Sequence, residues 1–149
     1  MESIALGPSQ AVLQVHHGSR TLLSSAELRF LSCLKRIGRD RWQVVTKPRL
    51  VDFIEHFYSA PYSEELSHHR VDFLLCKLTD WTPMIGISLD DPDAPGPAQP
   101  LTNCSVKLLL ATAGIPLLKA GPWEMDYPEG LLMRIDEAWD RRERILAYY

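Results

Sequence analysis

The sequence predicts one α/β domain in which helices flank a mixed central sheet. Two apolar, strand-like runs near residues 70–77 and 84–90 are separated by a connection short enough for an antiparallel hairpin. A helical segment and a short strand come next, and strand, helix, strand is the pattern of a parallel βαβ crossover. The 149 residues suit one domain, which we place at 21–149 behind a lead-in at 1–20.

The composition restricts the classes of function. A hydrophobic fraction of 46% is ordinary for a globular protein. The formal charge of −3 argues against a protein that coats nucleic acid, because such proteins are usually basic. The 3 cysteines contain no CxxC pair, so neither a disulfide framework nor a zinc knuckle is indicated. The chain shows no signal peptide and no long apolar run, and we expect a soluble cytoplasmic protein without a membrane partner.

The first helix has a clear start signal. Ser24 and Glu27 form the Ser-x-x-Glu pattern of a capping box. Apolar residues then recur at helical spacing as far as Ile37, and Gly38 is a suitable stop. We therefore predict a helix at about 25–37, in which Glu27 has a capping role.

A run of basic residues follows this helix. Its members are Lys35, Arg36, Arg39, Arg41, Lys47 and Arg49. The run is a candidate nucleic-acid contact, because Lys and Arg neutralise phosphates. A solvated helix end and loop explains the same run, and the pattern leaves both interpretations open.

The segments between the first helix and the centre of the sheet are less regular. Residues 42–46 read as a strand that Pro48 ends. Residues 50–54 are expected to begin a short helix or an irregular segment. Residues 55–69 read as a surface connection.

Each central strand carries an acid. Asp72 lies near the start of the first strand, and Asp90 lies at the end of the second. An acid in an apolar strand is costly to bury unless it is paired, hydrogen-bonded or bound to a metal. Carboxylates on neighbouring strands can converge on a hard cation such as Mg²⁺. The competing interpretation is that Asp72 caps a turn or pairs with Arg70, while Asp90 and Asp91 open the next loop.

The second half of the chain completes the predicted sheet. Four prolines make 91–101 a loop rather than a helix or an inner strand. The helix that follows runs to Ala113 and carries Lys107 near the border of its apolar face. A strand at 115–119 is expected to run parallel to the second central strand. A last amphipathic helix is predicted at about 131–146, with its charged residues facing mostly water.

The predicted order is helix, three strands, helix, strand and a tail helix, and this is the core order of restriction-endonuclease-like domains. Five short segments of the sequence resemble one family. They are Leu-Leu-Ser-Ser-Ala-Glu at 22–27, Lys-Pro-Arg-Leu-Val-Asp at 47–52, Val-Asp-Phe-Leu-Leu-Cys at 71–76, Ile-Ser-Leu-Asp-Asp at 87–91 and Ala-Gly-Ile-Pro-Leu-Leu-Lys at 113–119. Over about 20–120 the chain resembles the bacterial family called domain of unknown function 2726. It is also similar to the wider PD-(D/E)xK superfamily of metal-dependent nucleases.

The resemblance implies a restriction-endonuclease-like core and a particular set of site residues. Asp72 matches the first metal-binding acid of the family, and Asp90 matches the acid two residues beyond the family glutamate. Glu27 matches an acid on the first helix. Ser88 stands where the family has its glutamate.

Other positions also depart from the family pattern. The acid expected early in the second helix corresponds to Asn103, and the lysine of that helix corresponds at best to Lys107. A histidine that follows the acidic pair is replaced by Ala94 or lost in the proline loop. In such nucleases the carboxylates hold the metal, which stabilises the phosphoryl charge. Because a serine hydroxyl ligates Mg²⁺ poorly, we expect weak or absent metal binding.

Three functions are compatible with these patterns. The one we expect is a catalytically degenerate nuclease-like domain that acts as a nucleic-acid-associated or protein-interaction module, with no cofactor. The second is an active nuclease that uses Asp72, Asp90 and Lys107, with Glu27 as support, and binds Mg²⁺ or Mn²⁺ through Asp72, Asp90 and Asp91. The third is a small partner-binding protein unrelated to nucleic acid. Salt-dependent binding to DNA separates the first function from the third.

Overall fold

The computed structural model describes residues 18, 20–55, 68–90 and 100–148. The α-helices of this part are α1 (Ser25–Gly38), α2 (Pro100–Thr112) and α3 (Pro128–Ala147). The strands are β1 (Trp42–Thr46), β2 (Phe73–Lys77), β3 (Pro83–Leu89) and β4 (Leu117–Ala120), and short 3-10 helices span Leu50–Asp52 and Pro122–Asp126. The predicted α/β class and element order are confirmed.

The sheet is mixed, with the strand order β1-β2-β3-β4. β2 pairs antiparallel with both β1 and β3, whereas β3 and β4 run parallel. The predicted hairpin and the predicted crossover through α2 are therefore both present. The described helices include none that is long and apolar enough to cross a lipid bilayer.

The start of α1 follows the sequence signal. The Ser24 hydroxyl accepts from the Glu27 N–H at 3.1 Å, and the Ser24 N–H donates to Glu27 Oε1 at 2.8 Å. At the end of the helix, glycine at position 38 is required for a reason other than the left-handed backbone that is usual for a stop glycine. A Cβ on Gly38 would lie 2.2 Å from Cε2 of Trp42, so glycine is required for space. The left-handed backbone occurs at the next residue, Arg39, with φ of 35°.

Several predicted boundaries are displaced. α2 begins at Pro100 and α3 at Pro128, because proline is tolerated in the first turn of a helix, where its missing N–H has no intrahelical acceptor. β4 begins at Leu117 rather than at Ile115, whose N–H instead closes the end of α2 on the Leu110 carbonyl at 2.9 Å. Of the predicted proline loop, residues 91–99 lie outside the described residues.

The two faces of the sheet carry separate cores. The larger core lies under α1 and α3 and includes Phe30, Leu34, Phe73, Leu75, Ile87 and Ile135. The smaller core lies under α2 and includes Leu50, Leu74, Cys76, Val106 and Leu110. Gly86 allows Leu110 of α2 to approach the sheet closely, because a Cβ there would lie 3.2 Å from Leu110 Cδ1.

Arg142 is the exception to the prediction that the charged residues of α3 face mostly water. Its side chain is buried, and Nε donates to the Pro83 carbonyl at 3.0 Å. Nη1 donates to the carbonyls of Ala113 and Gly114 at 3.1 and 3.3 Å. The amphipathic pattern of α3 could not predict this role, because it contains no information about the carbonyls at the end of α2. Burial among neutral partners lowers the pKa of the guanidinium.

Candidate functional site

The acids predicted on the central strands lie at one end of the sheet. Phe73, the first residue of β2, pairs with Ile87 of β3, and Asp72 directly precedes it. The Asp72 N–H also donates to the Ile87 carbonyl at 3.1 Å, which is one residue out of the register of the ladder, so Asp72 lies beside Ile87 and Ser88. Asp90 follows β3 directly, and its N–H donates to Ala120 on β4 at 2.7 Å. The backbone thus brings residues 72, 88 and 90 to adjoining strand ends.

The Asp72 carboxylate is held by the neighbouring strand. Its Oδ2 accepts a hydrogen bond from the Leu89 N–H at 2.7 Å. Such a charge-assisted bond is stronger than a neutral one and orients the carboxylate. A half-buried acid at the start of an apolar strand therefore has at least one hydrogen bond that offsets its desolvation.

Glu27 and Lys47 form an ion pair beside this strand end. Glu27 is only 5% exposed, and Lys47 Nζ lies 3.0 Å from its Oε1. Lys47 has a left-handed backbone with φ of 50°, and its N–H donates to the Asp72 carbonyl at 2.9 Å. Lys47 therefore links α1 to the strand that carries Asp72. Sequence reasoning predicted the capping role of Glu27 but missed this pair, since no local spacing connects the two residues.

A row of polar residues crosses the sheet at the same end. Ser88 pairs with Lys119 on β4, and Asp72 lies beside Ser88 on the side of β2. The side chain of Ser88 is half-buried, whereas that of Lys119 is exposed. Lys107 is also exposed, on α2, and Asp91 lies outside the described residues.

The donor set of the described residues fits a divalent metal poorly. Mg²⁺ takes six oxygen ligands in near-ideal geometry, some of them water, and favours carboxylates. One oxygen of Asp72 is already hydrogen-bonded, Ser88 offers a neutral hydroxyl, and Glu27 is paired with Lys47. Over the described ranges, no group of three or more His, Cys, Asp or Glu residues is arranged to hold a metal.

The predicted basic run divides into two parts in the structure. Half of it is in ion pairs, namely Arg41 with Asp136, Lys47 with Glu27 and Arg49 with Asp52. Lys35 and Arg36 lie in the last turn of α1, where positive charge also complements the helix dipole, and Arg39 is the C-cap. The paired cations therefore hold structural contacts as well as contributing to the surface charge.

A groove of about 640 Å³ lies between α1 and the 3-10 turn Pro122–Asp126. The helix lines it with Leu28, Arg29, Ser32, Cys33 and Arg36, and the turn lines it with Pro122, Trp123, Met125 and Asp126. Burial raises the pKa of the Cys33 thiol, although Arg36 opposes that effect. Sequence reasoning missed this groove, because the packing of a turn on a distant helix leaves no local pattern.

The turn that forms one wall is braced by a buried acid. Glu124 accepts from the Gly121 N–H at 3.0 Å and forms an ion pair with Arg134 of α3. Arg134 Nη2 also donates to the Lys119 carbonyl at 2.8 Å. These contacts join the turn to α3 and β4, so the wall of the groove has a defined position.

The fold and these positions define an α/β protein whose described part has a four-stranded mixed sheet and three α-helices, including one at the C-terminal end. Residues 19–138 match the family described as "Protein of unknown function (DUF2726)", and because the match spans most of the chain, the chain belongs to that family. The predicted family resemblance is therefore confirmed. No curated protein and no solved structure matches the chain significantly.

Proposed function

We propose that this chain is a restriction-endonuclease-like domain of the PD-(D/E)xK superfamily with a degenerate metal site, and that it binds nucleic acid without cleaving it. The order of α1, β1 to β3, α2 and β4 supports the superfamily assignment. The acid Asp72 at the start of β2 and the acid Asp90 directly after β3 support the same ancestry.

The position of Ser88 beside Asp72 carries the proposal. Metal-dependent phosphodiester hydrolysis needs carboxylates that hold the cation, which in turn stabilises charge on the phosphoryl group. At position 88, beside Asp72 on the neighbouring strand, this chain has a hydroxyl instead of a second carboxylate. The scaffold of such a site is retained while a formal charge required for metal binding is missing.

The charges on α1 favour nucleic acid as the retained partner. Glu27 is buried against Lys47, so the exposed charges of this fully described helix are Arg29, Lys35 and Arg36, and all are positive. The positive charge of this helix is a local feature, because the chain as a whole has a net charge of −3. Cations gathered on one surface gain affinity for phosphates through counterion release.

The first experiment measures binding and cleavage together. Purified protein is mixed with fluorescent single-stranded DNA, duplex DNA and RNA, with Mg²⁺ or Mn²⁺, and is followed by anisotropy and on gels. We expect binding that weakens steeply between 50 and 200 mM salt, and no cleavage above that of Asp72→Ala. Cleavage by the native chain that Asp72→Ala abolishes would establish an active nuclease. Absence of binding to every nucleic acid at low salt would favour a protein partner instead.

A restoring substitution tests the degenerate site directly. Ser88→Glu returns a carboxylate to the position beside Asp72, so we expect Mn²⁺ to raise its melting temperature by more than that of the native chain. Ser88→Gln has a similar size without the charge and is the matched control. An equal Mn²⁺ response in Ser88→Glu and Ser88→Gln would contradict the assignment of position 88.

A further inference from the structure

We infer that the groove between α1 and the turn Pro122–Asp126 binds a single nucleic-acid strand, with a base stacked on Trp123 and phosphates held by Arg29 and Arg36. This inference rests on the proposed function and adds to it the type of nucleic acid and the residues that contact it. The family match covers this surface without distinguishing the groove, and the strand-end site involves other residues.

Trp123 has the properties of a stacking platform. Its side chain is 64% exposed, which is unusual for so large an apolar group. The ring is nevertheless held, because Tyr127 contacts it edge-on with centroids 6.4 Å apart and Glu124 braces the turn. A Cβ on Gly121 would lie 2.4 Å from Trp123 Nε1, so the backbone also approaches the indole closely. A fixed and exposed ring loses little entropy when a base stacks on it.

The facing wall supplies the charge for a phosphate backbone. Arg29 and Arg36 line the groove with Ser32 between them, which places two guanidinium groups and a hydroxyl along one side of α1. Seven residues of helix span about 10 Å, so the two arginines lie along the groove rather than at one point. Asp126 is the one acid among the lining residues, and two cations against one anion leave the groove positive.

The shape of the site favours a single strand over the alternatives. A concave site of about 640 Å³ can accept an unstacked base, whereas the bases of a duplex are already stacked on one another. Proteins that bind single strands commonly combine an aromatic platform with neighbouring cations, because every base has a π-face and every nucleotide has a phosphate. An acidic peptide would satisfy the arginines but offers no flat ring to Trp123.

The test uses the full chain and a fluorescein-labelled dT20 oligonucleotide in anisotropy titrations at low salt. We expect Trp123→Leu to weaken binding by roughly fivefold or more, as for the loss of one stacked base. The double variant Arg29→Gln/Arg36→Gln is expected to weaken it further and to flatten the salt dependence. Matched controls are Trp81→Gly, at an exposed tryptophan with φ of 61°, and Arg141→Gln/Arg144→Gln on α3, all of which should bind as the native chain does.

The outcomes separate this inference from the proposed function. If the native chain binds no nucleic acid, both fail. If it binds dT20 and the groove variants, folded by circular dichroism, bind equally well, the groove assignment is overturned while the proposed function stands. The inference is also overturned if a matched duplex competes as well as dT20. If poly-glutamate binds instead of dT20 and the groove variants lose that binding, the occupant is an acidic peptide.

Discussion

Lys47 shows how much a single residue contributes at the edge of the sheet. A non-glycine residue in the left-handed region costs about 1–2 kcal/mol relative to the ordinary backbone. That cost is offset by the backbone bond to Asp72 at 2.9 Å and by the contact with Glu27 at 3.0 Å. The residue thereby neutralises a buried carboxylate and positions the strand end that carries the candidate site.

Removing the charge of Lys47 should destabilise the fold. Lys47→Met leaves the buried Glu27 carboxylate without its counterion, and we expect a loss of about 1–3 kcal/mol in urea unfolding, below the full buried-pair value because Lys47 is partly exposed. Glu27→Gln should reduce the effect of Lys47→Met in a double-mutant cycle. Lys35→Met, an exposed lysine of α1, is the control, and equal effects of Lys47→Met and Lys35→Met would contradict the pairing.

Cys76 makes stability depend on pH in the alkaline range. Burial raises the pKa of its thiol from 9.0 to about 11. The thiol therefore ionises at a lower pH in the unfolded chain than in the folded chain. The stability that the buried neutral thiol contributes is complete below pH 9 and is lost as the pH rises from about 9 to 11. We expect up to about 2–3 kcal/mol from this group. Cys76→Ala should show a smaller decline over that window, and an identical decline in both proteins would contradict the assignment.

At the scale of elements, α3 completes the end of α2. Gly114 has φ of 73°, and a Cβ on it would lie 2.8 Å from Cγ2 of Ile145, so both conformation and space require glycine. Arg142 of α3 donates to the carbonyls of Ala113 and Gly114, which directly follow α2. One arginine therefore ties together α2, α3 and the start of β3, where it bonds Pro83.

Arg142→Met should cost about 2–4 kcal/mol in denaturant unfolding, because the carbonyls of half-buried Pro83, Ala113 and Gly114 lose their donor. Arg142→Lys should recover only part of this loss, since an ammonium group lacks the forked geometry of the guanidinium. The neighbouring Arg141 is exposed, so Arg141→Met should change the free energy of unfolding by less than about 0.5 kcal/mol. Similar losses for Arg141→Met and Arg142→Met would show that the carbonyl contacts contribute little.

At the scale of the whole molecule, β2 and β3 join the two cores. Leu74 and Leu75 are adjacent and buried, but strand alternation directs Leu74 to the α2 side and Leu75 to the side of α1 and α3. The same two strands end at the residues of the candidate site. A loss of packing on either face of the sheet should therefore lower the stability of the whole domain.

Leu74→Ala and Leu75→Ala should each cost about 2–5 kcal/mol, as buried large-to-small changes. Because both cores share β2, we expect one unfolding transition in each variant, with near- and far-UV circular dichroism coinciding. Leu108→Ala, at an exposed position of α2, should have little effect. A separate early transition in Leu74→Ala would mean that the two faces unfold independently.

Local sequence patterns were sufficient to predict the helices and strands and their order along the chain. The Ser24 and Glu27 capping box started α1 as predicted, because capping depends on residues three apart. The short connection before β3 and the helix before β4 predicted the antiparallel and parallel pairings, because chain length restricts the return path. Asp72 and Asp90 could be placed at neighbouring strand ends on the same grounds.

Tertiary packing decided which side chains meet. Lys47 reaches Glu27, Arg142 reaches the end of α2, and the Trp123 turn forms a groove against α1. Periodicity describes one element at a time and reports which face is apolar, whereas these contacts depend on how whole elements are placed against one another. The charged face of α3 was therefore predicted to be solvated, although one of its arginines is buried among carbonyls.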